Sequence, residues 1–188
     1  MMIMTGNFNP LLAISDYFHT RKRVWVKLTI AMIPCGIVLL ALFVLMPQLP
    51  IDLPNSSSIS DIFRDFVDVQ IGAIATLISF SIAIMTILVT ADNENIRALK
   101  NFKSAECREL KKEPLNLFQV LLSNITYNIL VEIIYLAVLI IFVFVQIFVS
   151  INIIKIMFGV CAFFLTYILL TLIECVGQMY LTFWKHRE

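Results

Sequence analysis

Between Val69 and Ala91 the chain runs for 23 residues without a charged side chain. A helix needs about 20 apolar residues to cross roughly 30 Å of hydrocarbon, and it can satisfy its backbone hydrogen bonds internally where no water is present. Three further apolar stretches of comparable length occupy most of the remaining chain. The sequence therefore predicts an all-α, polytopic membrane protein with four transmembrane helices and little room for a soluble domain.

The expected order begins with an amphipathic lead over 1–23 that ends in Arg21-Lys22-Arg23, followed by helix 1 over 24–46. Pro34 lies inside helix 1, where it removes a backbone donor and predicts a kink. An outer loop over 47–68 carries three prolines and Ser56-Ser57-Ser58, and its second half reads as a short surface helix capped by Ser58 with Asp61 three residues on. Helix 2 covers 69–90, a charged segment covers 91–116, and helix 3 covers 117–149. Helix 4 covers 153–180 and a tail covers 181–188. The connection at 150–152, Ser-Ile-Asn, is short enough to make helices 3 and 4 an antiparallel hairpin.

Composition agrees with this reading, since 60% of residues are hydrophobic and only 14% are charged, against about 25% in soluble domains. The basic cluster before helix 1 resembles the start of a signal peptide. The run that follows is too long for one and ends in Pro47-Gln48-Leu49-Pro50, which predicts a retained anchor. The four cysteines form no C-x-x-C pair, so neither a disulfide framework nor a metal or cofactor site is expected.

Charge placement predicts the orientation. Twelve of the 14 basic residues fall in the lead and the first turn of helix 1, where Lys27 lies, in the helix 2 to 3 segment and in the tail, leaving Arg64 and Lys155 on the other side. The excess of Lys and Arg on cytoplasmic loops places both termini and the long segment inside. Trp25, Tyr180 and Trp184 would then mark the inner interface.

Helix 2 carries the most regular pattern. Gly72, Thr76, Ser79, Ala83, Thr86 and Thr90 recur at steps of four and three, forming one stripe of small residues. Membrane helices associate through close packing and hydroxyl hydrogen bonds, so the stripe reads as a packing seam within or between protomers. A hydroxyl-lined conduit is the other reading, because Ser and Thr also solvate ions and water.

Two carboxylates interrupt apolar runs. Glu132 shares a face of helix 3 with Asn124 and Asn128, and Glu174 lies on helix 4 one turn before Gln178. An ionisable residue in a span costs roughly 2.5–3.5 kcal/mol to insert and therefore faces protein or water. Each carboxylate is either hydrogen-bonded within the bundle or part of a proton or cation pathway, and no intramembrane Arg or Lys is expected beside them.

Outside the spans, Asp61, Asp65 and Asp68 share one side of the short outer helix. That side is a solvated face in a monomer and an acidic mouth if repeated around an axis. The segment from Asp92 to Glu113 mixes six basic residues, Arg97, Lys100, Lys103, Arg108, Lys111 and Lys112, with five acidic ones. Mixed signs suit a protein-docking surface better than a nucleic-acid or anionic-lipid patch, so a cytoplasmic protein partner is expected and direct nucleic-acid binding is not. No H-E-x-x-H, G-x-S-x-G or phosphate-binding loop is present, and the chain is not expected to be an enzyme.

The segment from Gly72 to Lys100, GAIATLISFSIAIMTILVTADNENIRALK, together with the four-span layout, resembles the small membrane subunits of bacterial antiphage defence systems of the Kiwa type. The resemblance implies an inner-membrane homo-oligomer in contact with lipid, a tetramer by analogy. It also implies detection of envelope disturbance during phage attachment and action with a cytoplasmic, DNA-binding partner. A sensor or scaffold subunit is thus the leading functional expectation. A holin-like pore and a carboxylate-coupled transporter are the alternatives.

Overall fold

The computed structural model describes residues 17, 24–45, 58–90, 94–101 and 116–184. Among these it is nearly all helical, without a strand, and four of its helices are long and apolar enough to cross a membrane. The chain is a multi-pass membrane protein. Helix α1 runs over Val24–Leu40 and continues as one wider turn over Ala41–Leu45. Helix α2 covers Ile59–Thr90, α3 Glu94–Asn101, α4 Leu117–Val145 and α5 Ile151–Trp184.

Local chemistry sets the helix starts. Ser58 and Asp61 cap α2 reciprocally: the Ser58 N–H and hydroxyl donate to Asp61 Oδ2 at 2.9 and 2.8 Å, and the Asp61 N–H donates to Ser58 Oγ at 3.2 Å. The short outer helix expected before helix 2 is not a separate element, because the chain continues from Ile59 to Thr90 without a break. Asn116 and Gln119 form a second capping box at the start of α4. Between α4 and α5 the chain turns over 146–150, and the Ser150 carbonyl accepts from the N–H groups of Ile153 and Ile154. That short turn makes α4 and α5 an antiparallel hairpin.

The hairpin is the centre of the molecule. Helix α1 packs chiefly along α5, α2 packs chiefly along α4, and α2 also meets α5 more lightly. Helices α1 and α2 therefore flank the central pair as two outer staves. Helix α1 continues through Pro34 and presents Val24, Ala31 and Cys35 to α5 at roughly helical-turn spacing. Helix α2 buries Phe63, Val67, Gln70, Ile74, Ser81 and Leu88, a seven-residue rhythm that faces the hairpin. At the hairpin end, Phe63 meets Phe158 edge-on with ring centres 4.8 Å apart.

Helices α1 and α5 approach closely at Gly159. A Cβ placed there would lie 2.8 Å from both Cγ and Cδ2 of Leu39, so the Leu39 side chain occupies the space a larger residue would need. Small residues let helix backbones come together where no hydrophobic force drives them.

The expected lead apart from Tyr17, most of the outer loop and the greater part of the charged segment lie outside the described residues. Lys103, Arg108, Lys111 and Lys112 fall there. Arg97 and Lys100 are described on α3, exposed, while Ile96 and Leu99 on its other side are buried. Lys100 Nζ lies 5.2 Å from the centre of the Phe118 ring.

Candidate functional site

Polar side chains collect inside the bundle, on the faces that α4 and α5 turn toward each other and toward the flanking helices. Burying such groups in an apolar interior is tolerated only when they bond to one another. Asn124, Asn128 and Glu132 share the buried side of α4 and are each at most 1% exposed. Their four-residue spacing places them one turn apart along that side.

Two clusters form from these residues. In the first, Asn124 Nδ2 donates to Gln178 Oε1 at 2.8 Å, and Gln178 Nε2 donates to Glu174 Oε1 at 3.4 Å. Glu174 makes an ion pair with Lys27 of α1, and Lys27 Nζ donates to the Tyr17 hydroxyl at 2.7 Å. The expectation that no cationic side chain lies among the spans is thus overturned. Lys27 falls one turn into α1, 147 positions from Glu174 in sequence, and only the packing of α1 on α5 brings the two together.

In the second cluster, Glu132 of α4 meets Ser81 of α2. Asn128 Nδ2 donates to Glu132 Oε1 at 2.6 Å, and Ser81 Oγ donates to the same oxygen at 3.4 Å. The residues that flank it are also hydrogen-bonded. Tyr135, one turn further along α4, donates through its hydroxyl to Gln70 of α2 and lies 3.2 Å from the Cys161 carbonyl of α5. On the other side, the Tyr127 and Tyr167 hydroxyls are 2.8 Å apart. The Tyr17 and Tyr127 rings stack with their centres 3.7 Å apart.

Tyr135 thus joins three helices through one hydroxyl. Tyr135→Phe is expected to leave the buried Gln70 carbonyl oxygen without its donor and to destabilise the fold by about 1–3 kcal/mol. Denaturant titration of the purified protein in detergent, followed by circular dichroism, measures it; an unchanged midpoint would show that the hydroxyl contributes nothing.

The stripe on α2 behaves differently. Gly72, Thr76, Ser79, Ala83, Thr86 and Thr90 are all exposed, so the stripe is not a contact between helices of one protomer. It lies almost opposite the buried rhythm of Phe63, Val67, Gln70 and Ile74, being offset from it by two residues on a helix of 3.6 per turn. Its hydroxyls bond to their own helix: Thr76 to the Gly72 carbonyl, Ser79 to Ala75, Thr86 to Ile82 and Thr90 to Thr86, at 2.7–3.0 Å. This back-bonding satisfies each donor without any neighbouring helix.

Asp61, Asp65 and Asp68 are exposed on the first turns of α2, with the Asp61 carboxylate engaged in the Ser58 cap. The residue pattern of α4 and α5 made Asn124, Asn128, Glu132, Glu174 and Gln178 visible in the sequence. It missed Lys27, Gln70, Ser81 and Tyr135. Gln70 and Ser81 carried a usable signal, since they fall on the seven-residue rhythm of α2 at positions otherwise held by large apolar residues. No protein-family model matches this chain, and no curated protein or solved structure matches it either.

Proposed function

We propose that this protein is a non-enzymatic sensor or scaffold subunit of a bacterial antiphage defence system. In this reading it lies in the inner membrane with both termini cytoplasmic, assembles with copies of itself and acts with a cytoplasmic protein partner. The observation that carries the proposal is the division of polar side chains between two faces. Those of the interior are joined to one another across helices, whereas the small-residue stripe of α2 faces outward from a flanking helix. A stripe that lets backbones approach is then available to a second protomer. The resemblance of the segment from Gly72 to Lys100 to Kiwa membrane subunits supports the defence setting, and the exposed Arg97 and Lys100 of α3 support a docking role.

The outward stripe equally supports a second reading, a pore. Copies arranged around an axis with the stripe inward would line it with hydroxyl oxygens. Buried Glu132 supports the third, a carboxylate-coupled transporter.

Ser79→Leu and Ala83→Leu separate assembly from folding. Both positions are exposed, so each change is expected to alter protomer stability by no more than about 0.5 kcal/mol. The assembly measured by light scattering in detergent is expected to fall in size, and protection against phage of cells carrying the gene in its native genomic context is expected to fall with it. Wild-type assembly and protection in both variants would remove the stripe from the mechanism. Steady conductance of the wild type in planar bilayers, lost in Ala83→Leu, would replace the sensor by the pore.

A further inference from the structure

Glu132 is completely buried near the middle of α4, and its hydrogen-bonding groups among the described residues, Ser81 and Asn128, are both neutral. The nearest lysine along the polar track, Lys27, is engaged by Glu174. A carboxylate kept ionised in an apolar interior needs a counter-charge, supplied by a paired cation or a metal ion, whereas a carboxyl that takes up a proton needs none.

The oxygens around Glu132 are unevenly used. Oε1 receives both hydrogen bonds, while Oε2 of Glu132 and Oδ1 of Asn128 have no hydrogen-bond partner among the described residues. Both atoms belong to side chains at most 1% exposed, and the two side chains are bonded to each other. Ser81 Oγ reaches Glu132 only at 3.4 Å, long for a hydroxyl donor, so it is loosely committed. Carboxylate, amide and hydroxyl oxygens are the hard donors that alkali and alkaline-earth ions take.

We propose that Glu132, Asn128 and Ser81 form a binding site for one small inorganic monovalent cation, of the sodium or lithium class, that ties α2 to α4. The charge balance selects the valence: one carboxylate neutralises one positive charge, whereas a divalent ion would leave a net charge in the bundle. Asn124, one turn from Asn128, and Gln178 beside it extend the polar track toward the end of the bundle that holds Lys27 and Glu174. Ser81 comes from α2 and the other two ligands from α4, so occupancy holds the flanking helix against the hairpin.

The test uses the full chain purified in detergent at pH 8, with ionic strength kept constant by exchanging choline chloride for sodium or lithium chloride. Binding to the folded state alone raises thermal stability by mass action, and a saturable rise in Tm of about 5 °C is expected with sodium or lithium. Glu132→Gln is expected to abolish the rise, and Asp65→Asn, at an exposed position, to keep it. Should Glu132→Gln fail to fold, Ser81→Ala serves instead, with the midpoint for sodium moved upward by about tenfold or more. Equal Tm in sodium, lithium and choline would overturn the proposal and assign the counter-charge to a proton. A rise that survives unaltered in Glu132→Gln and Ser81→Ala would place the ion elsewhere and overturn it as well.

Discussion

Lys27→Met is expected to lower the stability of the protein by about 3 kcal/mol, near the lower end of what breaking a buried ion pair costs. The cost arises on the other side of the pair. Glu174 is 26% exposed and Lys27 13%, so removing the ammonium leaves a carboxylate with little water to replace it. The Tyr17 hydroxyl loses its donor in the same step. For a chain of this length the change corresponds to a fall in Tm of about 6–12 °C. Glu174→Met is expected to behave similarly by stranding the lysine. The double variant Lys27→Met with Glu174→Met is expected to recover most of the loss, because two apolar side chains replace two charges whose desolvation the pair had to offset. A thermal melt of the four proteins in detergent completes the cycle. Additive losses in the double variant would show that the two side chains act independently and that the contact between them carries no energy.

Gly159→Leu is expected to cost about 3 kcal/mol and Gly159→Ala about 1–2 kcal/mol, through overpacking against α1. The Ala change brings a gain in helix propensity of up to about 1 kcal/mol, so its net loss understates the clash. The obstruction is one side chain, Leu39, whose Cγ and Cδ2 sit 2.8 Å from where the new Cβ would be. Adding Leu39→Ala is therefore expected to restore Gly159→Ala to near wild-type stability. Equilibrium unfolding in detergent reads the result. No loss from Gly159→Ala would mean that Leu39 and α1 give way at no cost, and a loss without rescue would mean that Leu39 is not the obstruction.

The spans were legible because the requirement for about 20 apolar residues is written in consecutive positions. The α4–α5 hairpin was legible for the same reason, since a short polar interruption between two apolar runs leaves the chain nowhere else to go. Local spacing also exposed the buried side of α4, because Asn124, Asn128 and Glu132 recur every fourth residue.

What the sequence hid is contact between distant elements. Lys27 looked like one more basic residue at a cytoplasmic border, and nothing near it in sequence points to Glu174. Ser81 could not be told from Ser79 by composition, yet one faces Glu132 and the other faces outward. The two differ by about 200° around α2, and which direction is inward depends on how that helix sits against α4. Small residues on α2 drew attention to the wrong side for folding, while the true seam within the protomer is built from larger residues such as Phe63, Val67 and Ile74.

The unbroken course of α2 has a mechanical consequence. Its 32 residues make a rod about 48 Å long, well beyond a hydrocarbon thickness of roughly 30 Å. A helix too long for its bilayer tilts or protrudes, and the tilt follows the local thickness. With the Ser58–Asp61 cap closing one end and no interruption before Thr90, a tilt of 10° in a rigid rod of this length displaces its far end by about 8 Å. A change in bilayer thickness that tilted such a hinge-free rod would move its two ends laterally in opposite leaflets.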